Sequence, residues 1–165
     1  MSDDLFITGM EMPGEGVYDY HYTIGGIPVA QARMGAHYIP GKYGKKGFIS
    51  FYDVPKCRKE KLHIGMILKK SVDGTLLDCP LQVDLIFHMK RPELHYGTGK
   101  NRLTIKDKYL FATHTKTPDI DNLRKLIMDA LTKVVWRDDS LVVKGTTIKK
   151  FSERPRVEIF IKCLE

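Results

Sequence analysis

The chain has 165 residues, 42% of them hydrophobic, with 27 Lys/Arg against 20 Asp/Glu. That length suits one domain able to bury a core without disulfides or a structural metal, and no apolar run approaches the roughly 20 residues that span a bilayer. Three cysteines, Cys57, Cys79 and Cys163, lack CxxC or Cys/His spacing, which argues against a disulfide framework and a zinc site and leaves them as reduced packing residues.

Residues 1–19 hold five acidic residues, three glycines and no Lys or Arg. They are set apart as an acidic N-terminal extension, and residues 20–165 are expected to form the single domain. The extension has no basic segment leading into an apolar stretch, so it does not resemble a secretion signal and a cytoplasmic setting is expected. Tyr20–Ile24 has strand composition and ends at the Gly25-Gly26-Ile27-Pro28 turn signal. Gly35–Gly47, rich in Gly, Lys and Tyr, reads as a surface loop that could face phosphates. Phe48–Tyr52 reads as a short strand.

Asp53 is placed as the N-cap, with Pro55 in the first turn, of a helix running to about Lys70. Leu62, Ile64, Met66, Ile67 and Leu68 are its expected buried side, and Lys56, Arg58, Lys59 and Lys61 its charged side. After an Asp73-Gly74 turn, Leu81–Met89 alternates well enough to be a strand with one face in the core and Gln82, Asp84 and His88 on the other. Arg91–Thr115 is a long polar loop. Its Gly97-Thr98-Gly99-Lys100 lacks P-loop spacing, so ATP use is unsupported. Asn122–Thr132 is the clearest helix, with Leu123, Leu126, Ile127, Ala130 and Leu131 on one stripe and Asp121, Lys125 and Asp129 at i, i+4 and i+8 on another face. Leu141–Phe151 and Arg156–Cys163 read as two strands joined by Ser152-Glu153-Arg154-Pro155 into a terminal antiparallel hairpin.

Chemistry concentrates in Thr117-Pro118-Asp119-Ile120-Asp121-Asn122-Leu123-Arg124-Lys125, followed by Asp138-Asp139. Carboxylates at i and i+2 of an extended segment point the same way, so Asp119 and Asp121 could hold one hard cation such as Mg²⁺ or Mn²⁺. Lys125 stands one helical turn from Asp121 and could reach a phosphate. Asp121 also reads as an ordinary helix N-cap, and Asp-Asp-Ser as turn chemistry. His114 could relay a proton, although a lone loop histidine is more often a surface residue. Residues 90–150 carry fourteen Lys/Arg and seven Asp/Glu, and the rest of the chain thirteen of each. The whole excess charge of +7 therefore surrounds the acidic motif, as expected if basic groups hold phosphates and carboxylates hold a metal. Lys100, Arg102, Lys106, Lys108, Lys116 and Arg124 are the expected DNA contacts.

The run Lys116–Lys125 with Asp129-Ala130-Leu131 and Trp136-Arg137-Asp138-Asp139-Ser140 resembles the RusA family of Holliday junction resolvases. Ile24-Gly25-Gly26-Ile27-Pro28-Val29, Gln31, Arg33 and Phe51-Tyr52-Asp53 add to the resemblance, which covers roughly Tyr22 to Cys163. It implies an α/β fold of two-layer α+β type, a mixed sheet with helices packed against it. It further implies a homodimer that binds four-way junction DNA and uses Mg²⁺ to make paired symmetric nicks, with Asp119, Asp121 and Asp139 as metal-binding catalytic carboxylates and Lys125 as the catalytic lysine. Family members are often encoded by phages and prophages. A nucleotidyltransferase with an Asp-x-Asp metal site would need a Gly-Ser nucleotide segment, which is not found; a DNA-binding protein without catalysis would keep the basic surface alone.

Overall fold

The structure, a computed structural model, describes residues 17–69 and 74–165. Its organising element is β4 (Leu81–Lys90), whose first nine residues are all buried. β7 (Arg156–Cys163) runs antiparallel along one side of β4, with β1 (Tyr20–Gly25) antiparallel beyond it. On the other side β5 (Val142–Lys144) and then β6 (Thr147–Ser152) pair with β4 in parallel. The sheet is mixed, and the two described α-helices, α1 (Pro55–Lys69) and α2 (Ile120–Leu131), supply apolar side chains to the core that lies against it. No described helix is long and apolar enough to cross a membrane.

One face of β4 contributes Leu81, Val83, Leu85, Phe87 and Met89 to this core, where they meet Leu123, Leu126, Ile127, Ala130 and Leu131 of α2. A helix of 12 residues is marginal alone. Burying each large apolar side chain contributes about 1.5–3 kcal/mol, so packing, more than propensity, makes α2.

The opposite face of β4, which the alternation sets away from the core, is closed too: Gln82, Asp84 and His88 are buried. The Asp84 carboxylate accepts from Tyr18 Oη at 2.8 Å, Gln82 Nε2 at 2.6 Å and the Thr146 backbone N–H. Burial works against its charge, but these bonds outweigh it and hold its pKa below the usual carboxylate value; the Tyr18 phenol, half-buried and bonded to Asp84, is pushed up to about 12. His88 Nε2 lies 3.0 Å from Glu158. Period-two alternation reports which residues share a face, and a polar face can be buried if its groups find partners.

Several expected boundaries move. β6 and β7 do not form a terminal hairpin: they run antiparallel but lie on opposite sides of β4, which takes the place between them. Leu141–Phe151 is not one strand. It breaks at Gly145-Thr146, where a Cβ on Gly145 would collide with the Val83 carbonyl and where Thr146 turns its N–H to Asp84. Gly35–Gly47 is not all loop, since Gly35–Ile39 forms β2 and pairs antiparallel with β3 (Phe48–Tyr52).

On α1 the buried residues are Cys57, Ile64 and Leu68, while Leu62 and Met66 are exposed. Pro55 is its first residue, as its fixed φ and absent N–H favour, but Asp53 turns its carboxylate away to Gln31 and Lys61. Lys70 and Asp73, and residues 1–16 of the acidic extension, lie outside the described residues. Tyr18 and Asp19, at the end of that extension, belong to the fold: Asp19 donates its N–H to Ile161 and accepts from the Cys163 N–H. The cysteines are free, and Cys57 Sγ sits between the Ala32 N–H and the Ala30 carbonyl.

Replacing Asp84 by Ala would take away the acceptor shared by the Tyr18 hydroxyl, the Gln82 amide and the Thr146 N–H. Asp84→Ala should cost about 3 kcal/mol, a fall in Tm on the order of 10 °C; thermal denaturation followed by circular dichroism checks this, and a loss under 1 kcal/mol would contradict the assigned network.

Candidate functional site

Lys149 of β6 donates to the carbonyls of Lys116 at 2.9 Å and Pro118 at 2.8 Å, tethering the segment that enters α2. Asp119 holds the N-cap position with extended backbone, but its side chain makes no capping hydrogen bond. Ile120 is already helical, so Asp121 lies in the first turn. The two aspartates are therefore not alternating strand residues, as the sequence had implied. Both are exposed at the entry of α2, where the helix dipole favours negative charge.

Because the apolar stripe of α2 faces the core, Asp121, Lys125 and Asp129 are exposed along another side. Asp129 meets α1 there. Lys61 Nζ lies 2.9 Å from Asp129 Oδ2 and 2.9 Å from Asp53 Oδ2, and Asp53 also accepts from Gln31 Nε2 at 3.0 Å. Lys61 shares helical spacing with buried Cys57, Ile64 and Leu68, so its stem runs in the seam between helices and its head reaches the carboxylates. The Lys61 bond, with Gln31 and nearby Lys125 assisting, holds Asp53 below the usual carboxylate range even though burial opposes this. Burial likewise works against the Lys61 charge, and Asp129 and Asp53 outweigh it, raising its pKa.

Gln31, Asp53, Lys61, Asn122, Lys125 and Asp129 line a cleft of about 770 Å³, with Arg33 and Tyr52 also on its wall. The Gln31 N–H donates to the Asn122 carbonyl at 2.8 Å, fixing the β1–β2 connection against α2. Sequence reading missed this cleft. It took Asp53 for a cap and Lys61 for a solvated lysine; the available signal was that Lys61 falls on the same stripe as Cys57, Ile64 and Leu68.

Asp139 opens a 3₁₀ turn, Asp139–Leu141, whose cap is Asp138; the Asp138 carboxylate accepts from the Ser140 N–H at 3.0 Å, and the Ser140 hydroxyl first and this N–H second lower its pKa. Asp138 is thus accounted for by turn geometry. The turn leads straight into Val142 of β5 beside Leu81, past the C-terminal end of α2. Asp119 and Asp121 stand at the other end of that helix, whose 12 residues span about 18 Å. Among the described residues, no three His, Cys, Asp or Glu side chains are grouped to hold a metal. One chain does not bring Asp119, Asp121 and Asp139 together.

The Arg91–Thr115 stretch is built from three 3₁₀ turns, Glu93–His95, Gly99–Asn101 and Asp107–Tyr109, gathered around Phe151. His95 meets that ring edge-on at 5.0 Å, His114 packs on it at 4.7 Å, and the Arg91 guanidinium lies 5.5 Å from its centre. His114 is buried, not a surface residue, and burial pushes its pKa down. Lys100, Arg102, Lys108 and Lys116 are exposed, and Lys106 donates to the Leu94 carbonyl. Arg124 turns inward, donating to Thr147 Oγ1 at 2.9 Å and to the Val83 carbonyl, near enough to Asp84 to offset its charge. Its guanidinium is first of all a tie between α2 and the sheet.

The sequence model of Endodeoxyribonuclease RusA matches residues 26–162. The chain belongs to the RusA endodeoxyribonuclease family. The match takes in Asp119, Asp121, Lys125 and Asp139 as well as the cleft residues from Gln31 to Asp129. The chain is 30% identical over 141 residues to the uncharacterized protein YqaN of Bacillus subtilis (strain 168), covering 86% of this chain and 94% of that protein. It is 24% identical over 145 residues to the crossover junction endodeoxyribonuclease rusA of Lactococcus phage r1t, covering 87% and 96%.

In this RusA-family chain the Lys61 bridge is a stability element with a pH signature. Lys61→Met should cost about 1–2 kcal/mol at pH 7, a value discounted for partial exposure. A depressed carboxylate contributes stability above its unfolded pKa and loses it as pH falls through the folded value. The gap between variant and parent should therefore narrow as pH drops below 3.8, the ordinary value for Asp53; urea unfolding across pH reads it.

Proposed function

We propose that this RusA-family endodeoxyribonuclease resolves four-way DNA junctions by paired, symmetric nicks, acting as a homodimer with Mg²⁺ or Mn²⁺ in the cytoplasm of a bacterial or phage-infected cell. The observation that carries the reading is the entry of α2. Asp119 and Asp121 are exposed there, Asp119 is not used as a cap, and Lys125 follows one turn later on the wall of a cleft. The printed name of the Lactococcus phage r1t relative supports the choice of a junction as substrate.

In this reading Asp119, Asp121 and Asp139 are the catalytic carboxylates. A divalent cation bound by such oxygens supplies a lowered pKa for attacking water and charge stabilisation at the phosphate. Among the described residues of one chain no three such carboxylates are grouped for it. Two copies related by a two-fold axis remove the difficulty if Asp139 of one copy approaches the α2 entry of the other, and two symmetric cuts call for two symmetric sites in any case. What each chain supplies by itself is clearer. Lys125 offsets negative charge on the phosphate in the transition state, Asn122 and Arg33 line the approach, and the Lys61 bridge offsets one of the two negative charges of Asp53 and Asp129, leaving Arg33 and Lys125 to outweigh the other. The exposed bases of the Arg91–Lys116 stretch hold flanking phosphates.

A synthetic four-way junction incubated with and without Mg²⁺, beside linear duplex and single strand, tests the reading; equal cutting of all three would favour an unspecific nuclease. Asp119→Asn and Asp139→Asn should each slow cutting by about 100-fold or more while junction binding persists. If the site is shared between copies, refolding the two inactive variants together regenerates one intact site per mixed dimer, and single nicks return. Cutting that stays absent would place the whole site within one chain.

Phosphate contacts have a separate signature in salt. Removing Lys100, Arg102 or Lys108 should each reduce the slope of log affinity against log salt by about 0.9 on duplex arms, measured by fluorescence anisotropy between low and physiological salt. An unchanged slope excludes the residue from the interface.

A further inference from the structure

The β2–β3 hairpin carries large apolar side chains that the fold leaves uncovered. Tyr38, Ile49 and Phe51 are 65%, 59% and 63% exposed. The register sets Tyr38 opposite Ile49 and Ala36 opposite Phe51, so these three residues form one continuous face. Phe48 and His37 look out from the other. A two-stranded ribbon is at best marginal by itself in water, and one that also exposes aromatic rings invites a ligand that can stack on them.

Charge identifies the ligand. From residue 20 to residue 52 there is no Asp or Glu, and the basic residues are Arg33, Lys42, Lys45 and Lys46, all exposed. Three of these sit in the turn between β2 and β3, beside a fully exposed Tyr43. Stacking surfaces interleaved with cations and free of carboxylates suit unstacked nucleotides, whose bases lie on aromatic rings while their phosphates meet lysines. A second copy of this chain fits less well, because packing this face on itself would bring two lysine-rich turns into the same neighbourhood without acidic partners. The root of the hairpin is also continuous with the candidate site: Arg33 and Phe51 line the same cleft as Asn122 and Lys125.

We propose that the Tyr38–Ile49–Phe51 face of the hairpin is a platform for unpaired nucleotides, which receives bases from the strand whose phosphate enters the Lys125 cleft. The proposal rests on the junction-nuclease reading for the source of those bases, since a branch point supplies unstacked ones, but the platform itself requires only single-stranded DNA. Ring stacking holds the bases without reading their identity, and Lys42, Lys45 and Lys46 hold the backbone beyond them.

The test uses the full chain and fluorescein-labelled oligo(dT) in EDTA, so that nothing is cut. Tyr38→Ala and Phe51→Ala should each weaken binding by about tenfold, with thermal melting and sedimentation unchanged. Tyr38→Trp should retain affinity, and because the native Trp136 is fully buried, the added indole should be the fluorophore that oligo(dT) quenches. Wild-type affinity in both alanine variants, or an unquenched indole, overturns the proposal. Altered sedimentation with unaltered oligo(dT) affinity also overturns it and assigns the face to contact between copies. Hairpin-dependent oligo(dT) binding in a protein that fails to cut four-way junctions leaves the platform standing and removes the junction reading; junction cutting with hairpin-independent binding does the reverse.

Discussion

The burial of both faces of β4 along its first nine residues is the constraint on which the rest of the structure depends. A strand with an apolar face on the helices and Asp84 and His88 on its other face is stable only if those polar groups find partners. Asp84 draws Tyr18 from ahead of β1, Gln82 from its own strand and the Thr146 N–H from the far side. That last bond falls at the break between β5 and β6, where Gly145 allows the backbone close to Val83. Arg124 then brings a cation from α2 toward the same carboxylate. One buried charge thus ties the first described residues, the edge strands and the main helix to a single strand.

α2 converts that core into chemistry. Its buried stripe fixes its rotation, and the rotation leaves Asp121, Lys125 and Asp129 outside. The same rigidity separates the groups at its two ends: Asp119 and Asp121 stand at the entry, and Asp139 follows the exit. Among the described residues no three carboxylates are gathered to hold a metal. Along its length, α2 is joined to α1 through Lys61, a cation placed within an apolar seam and paired with both Asp53 and Asp129. Lys61 offsets one of the two carboxylate charges, and Arg33 and Lys125 on the same cleft outweigh the other. The β2–β3 hairpin extends that wall outward as an apolar and basic surface.

Several of these features can be read from residue order. The 3.6-residue spacing of Leu123, Leu126, Ile127, Ala130 and Leu131 dictates a helix and its buried side, because burying that stripe is what stabilises so short a segment. β1, β3 and β4 follow from local composition. Asp119, Asp121, Lys125 and Asp139 are visible as a motif, and the RusA family resemblance rests on them. In these cases neighbours in sequence are also the neighbours that matter, or the pattern is independent of the rest of the fold.

Other features depend on which segments meet, and no local pattern contains that information. Alternation in β4 showed two faces but not that Tyr18, Thr146 and Glu158 would cover the polar one. The reversal between β6 and β7 looked like a hairpin because sequence records the turn and not the strand inserted between its arms. Asp53 has cap chemistry by position, yet Lys61 and Gln31 compete for its carboxylate and win, since two hydrogen bonds, one of them charge-assisted, outweigh a single capping bond. The sequence by itself determined α2 with its buried stripe, the strands β1, β3 and β4, and the motif on which the family resemblance rests, because all of these depend on short-range spacing. Only the tertiary structure decided that Asp119, Asp121 and Asp139 are not gathered into one cluster and that Lys61 joins the wall of the cleft, because both follow from long-range packing around β4.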